Sequence, residues 1–120
     1  MHNLKIELSD VSYDTLSSVI TFLYTGDTVI TAENCLDLLL ASNLFQIPGL
    51  NDAATRKITA NLESGSVMDI LRIAQVHNID RLYKNCLIYI TLHYDPRKHW
   101  NLQDDEEDYI IDLLNKLNKS

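Results

Sequence analysis

The side chains best suited to metal binding or catalysis in this sequence are two histidines, one aspartate and two cysteines. His93, Asp95 and His99 lie close together in the chain, but their spacing fits no strong metal-ligand pattern. Cys35 and Cys86 fall within apolar helical patterns, with no sequence sign of an activated thiolate. There is also no glycine-rich phosphate loop and no hydrolase-type serine motif. We therefore expect no catalytic site, no cofactor and no bound metal.

The charge of the chain is concentrated in one short segment. The 120 residues carry a net charge of −7, and five consecutive acidic residues occupy positions 104–108. The body is nearly neutral and offers no basic stripe, so we expect neither nucleic acid nor an anionic membrane surface as a partner. No apolar run reaches the ~18 residues of a membrane span, and no secretory signal is visible. Because both cysteines are expected to be reduced, we expect the protein to be located in the cytoplasm or the nucleus.

Hydrophobic periodicity predicts a mainly α fold of helical hairpins with one or two short edge strands. Apolar residues alternate with charged ones at positions 4–8, which predicts a strand, and residues 28–30 form a second strand-like piece. The remaining patterns have helical spacing. The predicted helices cover residues 13–24, 32–45, 48–62, 67–77 and 81–93, and a last helix follows the acidic run.

Several residues at the ends of these helices have the chemistry of caps. Ser12 and Gly26 are suited to the start and stop of the first helix, and Pro48 to the first turn of the third. Ser66 followed by Asp69 resembles a capping box. Asn78 can close the fourth helix in a left-handed conformation.

The first helix has an apolar stripe at helical spacing, which predicts a buried face. The stripe consists of Tyr13, Leu16, Val19, Ile20, Leu23 and Tyr24.

The second and third helices recur as the fourth and fifth at a spacing of 32 residues. Ile47 corresponds to Ile79, and Leu50 corresponds to Leu82. The repeat predicts two stacked helix-turn-helix units, as in helical repeat proteins.

The last helix begins in the acidic run and carries an apolar stripe along its length. The acidic residues can dock a basic partner, but acids at a helix start also match the helix dipole, and we favour that simpler interpretation. We expect the stripe to pack on the preceding hairpin; a free stripe would be an amphipathic ligand for another groove. Trp100, the only tryptophan, is expected to anchor the loop before this helix.

Three segments of the sequence together resemble the back half of a BTB (POZ) domain. They are residues 4–12, the Tyr-Thr-Gly triplet at residues 24–26 and the run at residues 31–50. The hairpin with residues 70–74 and 82–86 is similar to a 3-box, or the start of a BACK domain. The resemblance implies two parts, a partial BTB/POZ domain at residues 1–62 and a 3-box/BACK-like extension with a C-terminal helix at 63–120.

The front half of a BTB domain has no counterpart in this sequence. In the family, that half supplies most of the homodimer contact and a hydrophobic-x-glutamate motif that contacts cullin. The motif is expected just before residue 4, and residues 1–3 do not contain it. We therefore expect a fragment of a longer polypeptide, and a homo-oligomer only if the front half is present.

The resemblance implies a non-enzymatic protein-protein interaction module, a substrate-adaptor fragment of a cullin-3-type ubiquitin ligase that supports ubiquitination. Carried over residue by residue, the partner contacts fall on Tyr24, Asn43, Phe45, Gln46, His77 and Asn78. Tyr24 can equally be a core aromatic, Phe45 can simply close its hairpin, and His77 with Asn78 can be a plain helix C-cap. Two other functions remain open. One is a non-catalytic oligomerisation or scaffold module of a BTB-containing transcription or cytoskeletal protein; the other is a helical repeat cap that shares only a hairpin pattern.

Overall fold

Six α-helices account for most of the residues that the computed structural model describes, which are 11–103 and 105–118. The helices are α1 Tyr13–Thr25, α2 Cys35–Phe45, α3 Pro48–Ala60, α4 Val67–Val76, α5 Asp80–His93 and α6 Glu106–Asn118. The predicted mainly helical fold is confirmed. The chain divides into two units, the first ending at Asn61 and the second beginning at Leu62.

Residues 28–30 do not form the predicted strand. The backbone N–H of Thr28 donates to the side chain of Asp27 at 2.8 Å, and the carbonyl of Val29 accepts from the side chain of Asn34 at 3.0 Å. Local side chains thus bind groups that a strand would need for pairing. The other predicted strand, at residues 4–8, lies outside the described residues.

The caps of α1 and the start of α3 follow the sequence prediction. The Ser12 side chain accepts a hydrogen bond from the backbone of Thr15, and Gly26 ends α1 with a left-handed φ of 77°. Pro48 is the first residue of α3, where its missing N–H leaves no intrahelical bond unmade.

The start of α2 and the cap of α4 differ from the prediction. Thr31 and Asn34 form a reciprocal pair, each backbone N–H donating to the other's side chain, and α2 begins after this turn, at Cys35. The predicted capping box of Ser66 and Asp69 is not formed. Ser66 Oγ instead accepts from the backbone of Glu63. Asp69 binds Arg72, so an ion pair on the same helix takes the place of the cap.

The 32-residue repeat is confirmed in the backbone of both hairpins. Gln46 and Asn78 each have a left-handed φ of 56°. The next N–H in each turn, at Ile47 or Ile79, donates across the turn to a carbonyl 2.9 Å away, of Ser42 or Ala74.

Each unit has its own set of buried apolar side chains. In the first unit these are Val19, Cys35, Leu38, Leu39, Ala41, Leu50, Ala54 and Ile58. In the second they are Leu62, Val67, Met68, Leu71, Ala74, Ile79, Leu82, Cys86, Ile90, Trp100 and Ile110.

The predicted burial of the α1 stripe is wrong for most of its members. Tyr13, Ile20, Leu23 and Tyr24 are all exposed, and within this stripe only Val19 is buried. Helix α1 packs on α2. Its buried positions are Thr15 and Val19, four residues apart, so the helix contacts its neighbour through a face that is rotated away from the predicted stripe.

In the second unit, the loop before α6 and α6 itself are held against the hairpin. Trp100 is buried, and its indole N–H donates to the carbonyl of Asp95 at 2.6 Å, which confirms the predicted anchor. Arg72 on α4 donates to Glu106 of α6, at 3.0 Å from Nε, and to the carbonyl of Asn101 at 2.9 Å. Ile110 is fully buried and α6 packs on α5, so the predicted packing of the tail helix is confirmed.

Candidate partner-binding site

The end of α1 and the start of α3 meet through one aromatic contact. A Cβ atom placed on Gly49 would lie 3.1 Å from Cζ of Phe22, so the Phe22 ring packs directly over the glycine backbone. Phe22 lies in the last turn of α1, and Gly49 is the second residue of α3. The C-terminal end of α1 therefore lies beside the turn that joins α2 to α3.

Four of the predicted contact residues lie at this end of the first unit, and we call them the end surface. They are Tyr24, Asn43, Phe45 and Gln46. Tyr24 is 87% exposed, which excludes the alternative of a core aromatic. Asn43 and Gln46 are exposed, and Phe45 is half-buried, so part of its side chain remains accessible.

The backbone beneath the end surface is fixed by buried hydrogen bonds. Ser42 is buried, and its hydroxyl donates to the carbonyl of Leu39 at 2.7 Å and accepts from the side chain of Asn51 at 3.2 Å. The N–H groups of Gln46 and Ile47 both donate to the Ser42 carbonyl. The turn is thus formed before any partner arrives, which lowers the ordering cost of binding.

His77 and Asn78 belong to the second unit, at the turn between α4 and α5. His77 is the C-cap residue of α4, and its N–H donates to the carbonyl of Ile73 at 3.0 Å. Asn78 has the left-handed conformation that closes the helix, so the expected C-cap role is confirmed. Both side chains are exposed. Whether they also bind a partner stays a prediction.

Among the side chains considered for catalysis or metal binding, Asp95 and His93 contact neighbouring residues, and the two cysteines are buried. Asp95 accepts hydrogen bonds from Arg97, which lower the pKa of its carboxyl, and the His93 ring lies 4.5 Å from that of Tyr89. Burial raises the pKa of Cys86 to about 12, and burial also raises the pKa of Cys35. Both thiols therefore stay protonated near neutral pH. Among residues 11–103 and 105–118, no group of three potential ligands could hold a metal.

Comparison with known proteins places the chain in a family. The model of the BTB/POZ domain matches residues 1–62, more than half of the chain. The chain belongs to the BTB/POZ family. This agrees with the resemblance seen in the sequence, and it supports a protein-interaction module.

Curated relatives of this BTB/POZ chain include kelch-like proteins. Kelch-like protein 24a of Danio rerio is 27% identical over 110 residues, which are 91% of this chain and 18% of the relative. Kelch-like protein 6 of Homo sapiens is 33% identical over 86 residues, which are 72% of this chain and 14% of the relative. Kelch-like protein 38 of Mus musculus is 31% identical over 80 residues, which are 67% of this chain and 14% of the relative. The chain thus spans less than a fifth of these relatives, and no solved structure matches it.

Two features of this BTB/POZ chain escaped the sequence analysis. Phe22 and Gly49 carry the contact that brings α1 to the α2–α3 turn; the only available signal was a glycine inside the first turn of a predicted helix. An open apolar groove of about 380 Å³ also lies on the second unit, lined by Lys84, Leu87, Ile88, Thr91, Leu92 and Leu113. None of the described helices has both the length and the apolar character needed to cross a membrane.

Proposed function

We propose that this BTB/POZ chain is a non-catalytic protein-interaction module that serves as a substrate-adaptor fragment of a cullin-3-type ubiquitin ligase in the cytoplasm or nucleus. The family match and the kelch-like relatives support the interaction module. In this proposal residues 1–62 are the back half of a BTB/POZ domain and residues 63–120 are a 3-box/BACK-like extension. The cullin-type scaffold binds the end surface.

The contact of Phe22 with Gly49 is the observation that carries this proposal. The contact keeps the last turn of α1 beside the α2–α3 turn, so Tyr24 and Gln46 belong to the same end of one unit. In this proposal, a partner that covers this end of the unit contacts both segments.

The chemistry of the end surface also suits a protein partner. Tyr24 offers a large apolar ring and a hydroxyl at a low entropic cost, and aromatic side chains of this kind concentrate binding energy. Phe45 supplies a second ring whose position is partly fixed by its burial. Asn43 and Gln46 add amide groups at the rim, where hydrogen bonds give specificity.

Calorimetric titration of the full chain against the N-terminal domain of cullin-3 tests the proposal. We expect micromolar binding, and we expect Gln46→Gly to weaken it by about fivefold, or ~1 kcal/mol. Asn78→Gly is the matched control, since both residues have a φ of 56° and glycine preserves each turn. We expect a smaller effect there. Absence of binding by a chain with a helical circular dichroism spectrum would contradict the adaptor role.

The second candidate function, an oligomerisation or scaffold module, is favoured by the exposed apolar face of α1. Ile20 is 45% exposed and Leu23 62% exposed, and large apolar side chains grouped on one helix face are typical of interfaces. Light scattering separates the two functions. The adaptor proposal expects a monomer at micromolar concentration, whereas a dimer that Leu23→Glu abolishes would favour assembly.

A further inference from the structure

Tyr109 combines an exposed ring with a hydroxyl that links two helices. It lies in the first turn of α6 and is 42% exposed. Its hydroxyl lies 2.7 Å from the hydroxyl of Tyr83 on α5. This hydrogen bond, followed by burial, raises the pKa of Tyr109 to about 12, so the phenol is neutral at physiological pH. Tyr109 is therefore both accessible and structurally engaged.

The segment before Tyr109 is unlike that before any other tyrosine in the chain. Three acidic residues, Glu106, Glu107 and Asp108, precede it directly, and two more acids precede those. Tyr13 and Tyr24 are more exposed, at 83% and 87%, but neither follows an acidic run. The most exposed tyrosines and the tyrosine with the acidic flanking sequence are thus different residues.

We propose that Tyr109 is a phosphorylation site for a protein-tyrosine kinase whose substrate cleft is basic. The phenolic oxygen attacks the γ-phosphorus of ATP, the bond from that phosphorus to the ADP oxygen breaks, and the phenolic proton passes to a base of the kinase. The acidic run supplies charge complementary to a basic cleft, and complementarity of this kind directs partner choice.

Phosphorylation would act on the attachment of α6. The modified oxygen has no proton to donate, so only the Tyr83 hydroxyl can donate across this contact, and the phosphate adds about −1.5 to −2 charge next to Glu107 and Asp108. Like charges at this spacing repel each other, so the first turn of α6 loosens from α5. The phosphate is in this way a release signal for the tail helix.

The contact between Arg72 and Glu106 opposes access of a kinase. A kinase cleft binds an extended segment, so the first turn of α6 must unwind around Tyr109. The ion pair holds that turn in place, and both side chains are about four-fifths buried. Removing Arg72 lowers the cost of unwinding and is therefore expected to accelerate the modification.

The test treats the full chain with a purified tyrosine-kinase catalytic domain and Mg-ATP, and locates phosphate by mass spectrometry over time. A synthetic peptide of residues 101–113 serves as the unfolded reference. We expect Tyr109 to be modified first, about tenfold faster than Tyr13 or Tyr24, a difference of ~1.4 kcal/mol in activation free energy. Arg72→Ala should raise the rate at Tyr109 and leave Tyr13 unchanged.

Hydrogen exchange on the phosphorylated chain then measures the release of α6. We expect faster exchange at the α6 amides, beyond that of Tyr109→Phe, which loses the hydroxyl without gaining charge. Equal or faster modification of Tyr13 or Tyr24 would overturn the proposal. Failure of the kinase to modify the peptide would also overturn it. The same holds if the peptide is modified but Tyr109 is left unmodified in both the native folded chain and the Arg72→Ala chain.

Discussion

The two helical hairpins of this chain, α2–α3 and α4–α5, share one turn geometry but differ in what their side chains hold. Helices begin 32 residues apart in the two hairpins, and each turn contains one left-handed residue with the same φ. The polar partners differ completely. The same backbone can therefore serve two roles, and the side chains at a few equivalent positions decide which.

One such pair of positions is 51 and 83. In the first hairpin Asn51 donates to the buried hydroxyl of Ser42, so the polar groups bind within the hairpin. In the second hairpin the equivalent of Ser42 is Ala74, and Tyr83 instead bonds the hydroxyl of Tyr109 on α6. The first hairpin is closed by its own polar pair, whereas the second uses its polar group to hold the tail helix.

A second pair of positions is 40 and 72. Leu40 in the first hairpin is a half-buried apolar residue. Its equivalent, Arg72, bonds Asp69 and Glu106 and the carbonyl of Asn101. We infer that the second hairpin is specialised to anchor a following segment, while the first presents its turn to a partner.

The largest expected effects are those of Leu50→Ala and Leu82→Ala, which remove equivalent, fully buried side chains. Each should lower the free energy of unfolding by about 3 kcal/mol, since each leaves a cavity in a core. Urea denaturation measures the loss. Values that differ by more than about 2 kcal/mol would show that the two positions are not equivalent.

The two native cysteines can show which unit opens in these variants. Cys35 is buried in the first unit and Cys86 in the second. We expect Leu50→Ala to accelerate alkylation of Cys35 more than that of Cys86, and Leu82→Ala to do the reverse. Equal acceleration of both thiols in both variants would mean that the units open together.

Arg72→Ala should have the next largest effect, at about 2 kcal/mol, because it removes charge-assisted hydrogen bonds from a largely buried group and leaves Glu106 with only its bond from the backbone of Gln103 among those seen. Arg97→Ala is the matched control. Arg97 is 89% exposed and pairs with a near neighbour, Asp95, so its loss should have a much smaller effect on the free energy of unfolding. A similar loss in both variants, measured by urea denaturation, would contradict the anchoring role of Arg72.

The same ion pair predicts a pH dependence of stability. Hydrogen bonding to Arg72 lowers the pKa of Glu106 below its ordinary 4.5 in the folded chain. A lowered folded pKa stabilises the fold above the unfolded pKa, and this contribution is lost as the pH falls below about 4.5. Thermal denaturation between neutral and acidic pH should show a steeper decline for the native chain than for Arg72→Ala. Parallel declines in the melting temperatures of the two proteins would show that the pair of Arg72 and Glu106 is not the source of the pH dependence.

Ser42→Ala tests the polar closure of the first hairpin and should cost about 1 kcal/mol, since it removes the bonds of this hydroxyl to Leu39 and Asn51. A double-mutant cycle with Asn51→Ala isolates the interaction between the two side chains. We expect a favourable coupling of about 0.5 kcal/mol or more from urea denaturation. Additive losses would mean that Ser42 stabilises the turn only through its bond to Leu39.

Glycine substitution at the two turns should have the smallest effects. Gln46→Gly should raise the free energy of unfolding by about 0.5 kcal/mol, because relief of the left-handed strain exceeds the added entropy of the unfolded chain. Asn78→Gly should change it by less, since asparagine tolerates this conformation better. Thermal denaturation checks the order, and a destabilised Gln46→Gly would show that its side chain holds the turn.

Features set by local chemistry could be predicted from the sequence. The repeat, the stop at Gly26 and the left-handed Asn78 all follow from residue type and spacing, and the structure confirms them. The first residue of α2 was predicted less accurately, because Thr31 and Asn34 bind each other before the helix begins.

Features that depend on a neighbour could not be predicted in the same way. Helix α1 has apolar residues on more than one face, and periodicity alone cannot tell which face meets α2. The Phe22 contact with Gly49 likewise depends on tertiary packing. For the same reason the exposure of Tyr24, on which the candidate site depends, became clear only from the structure.

The most direct test of the end surface is a pair of calorimetric titrations of the full chain against the N-terminal domain of cullin-3. Tyr24→Ala and Tyr13→Ala remove equally exposed rings from opposite ends of α1, so neither should lower the melting temperature by much. We predict that Tyr24→Ala weakens binding at least about tenfold and Tyr13→Ala less than about twofold. Equal losses, or a Tyr24→Ala variant that loses stability but keeps its affinity, would contradict the account.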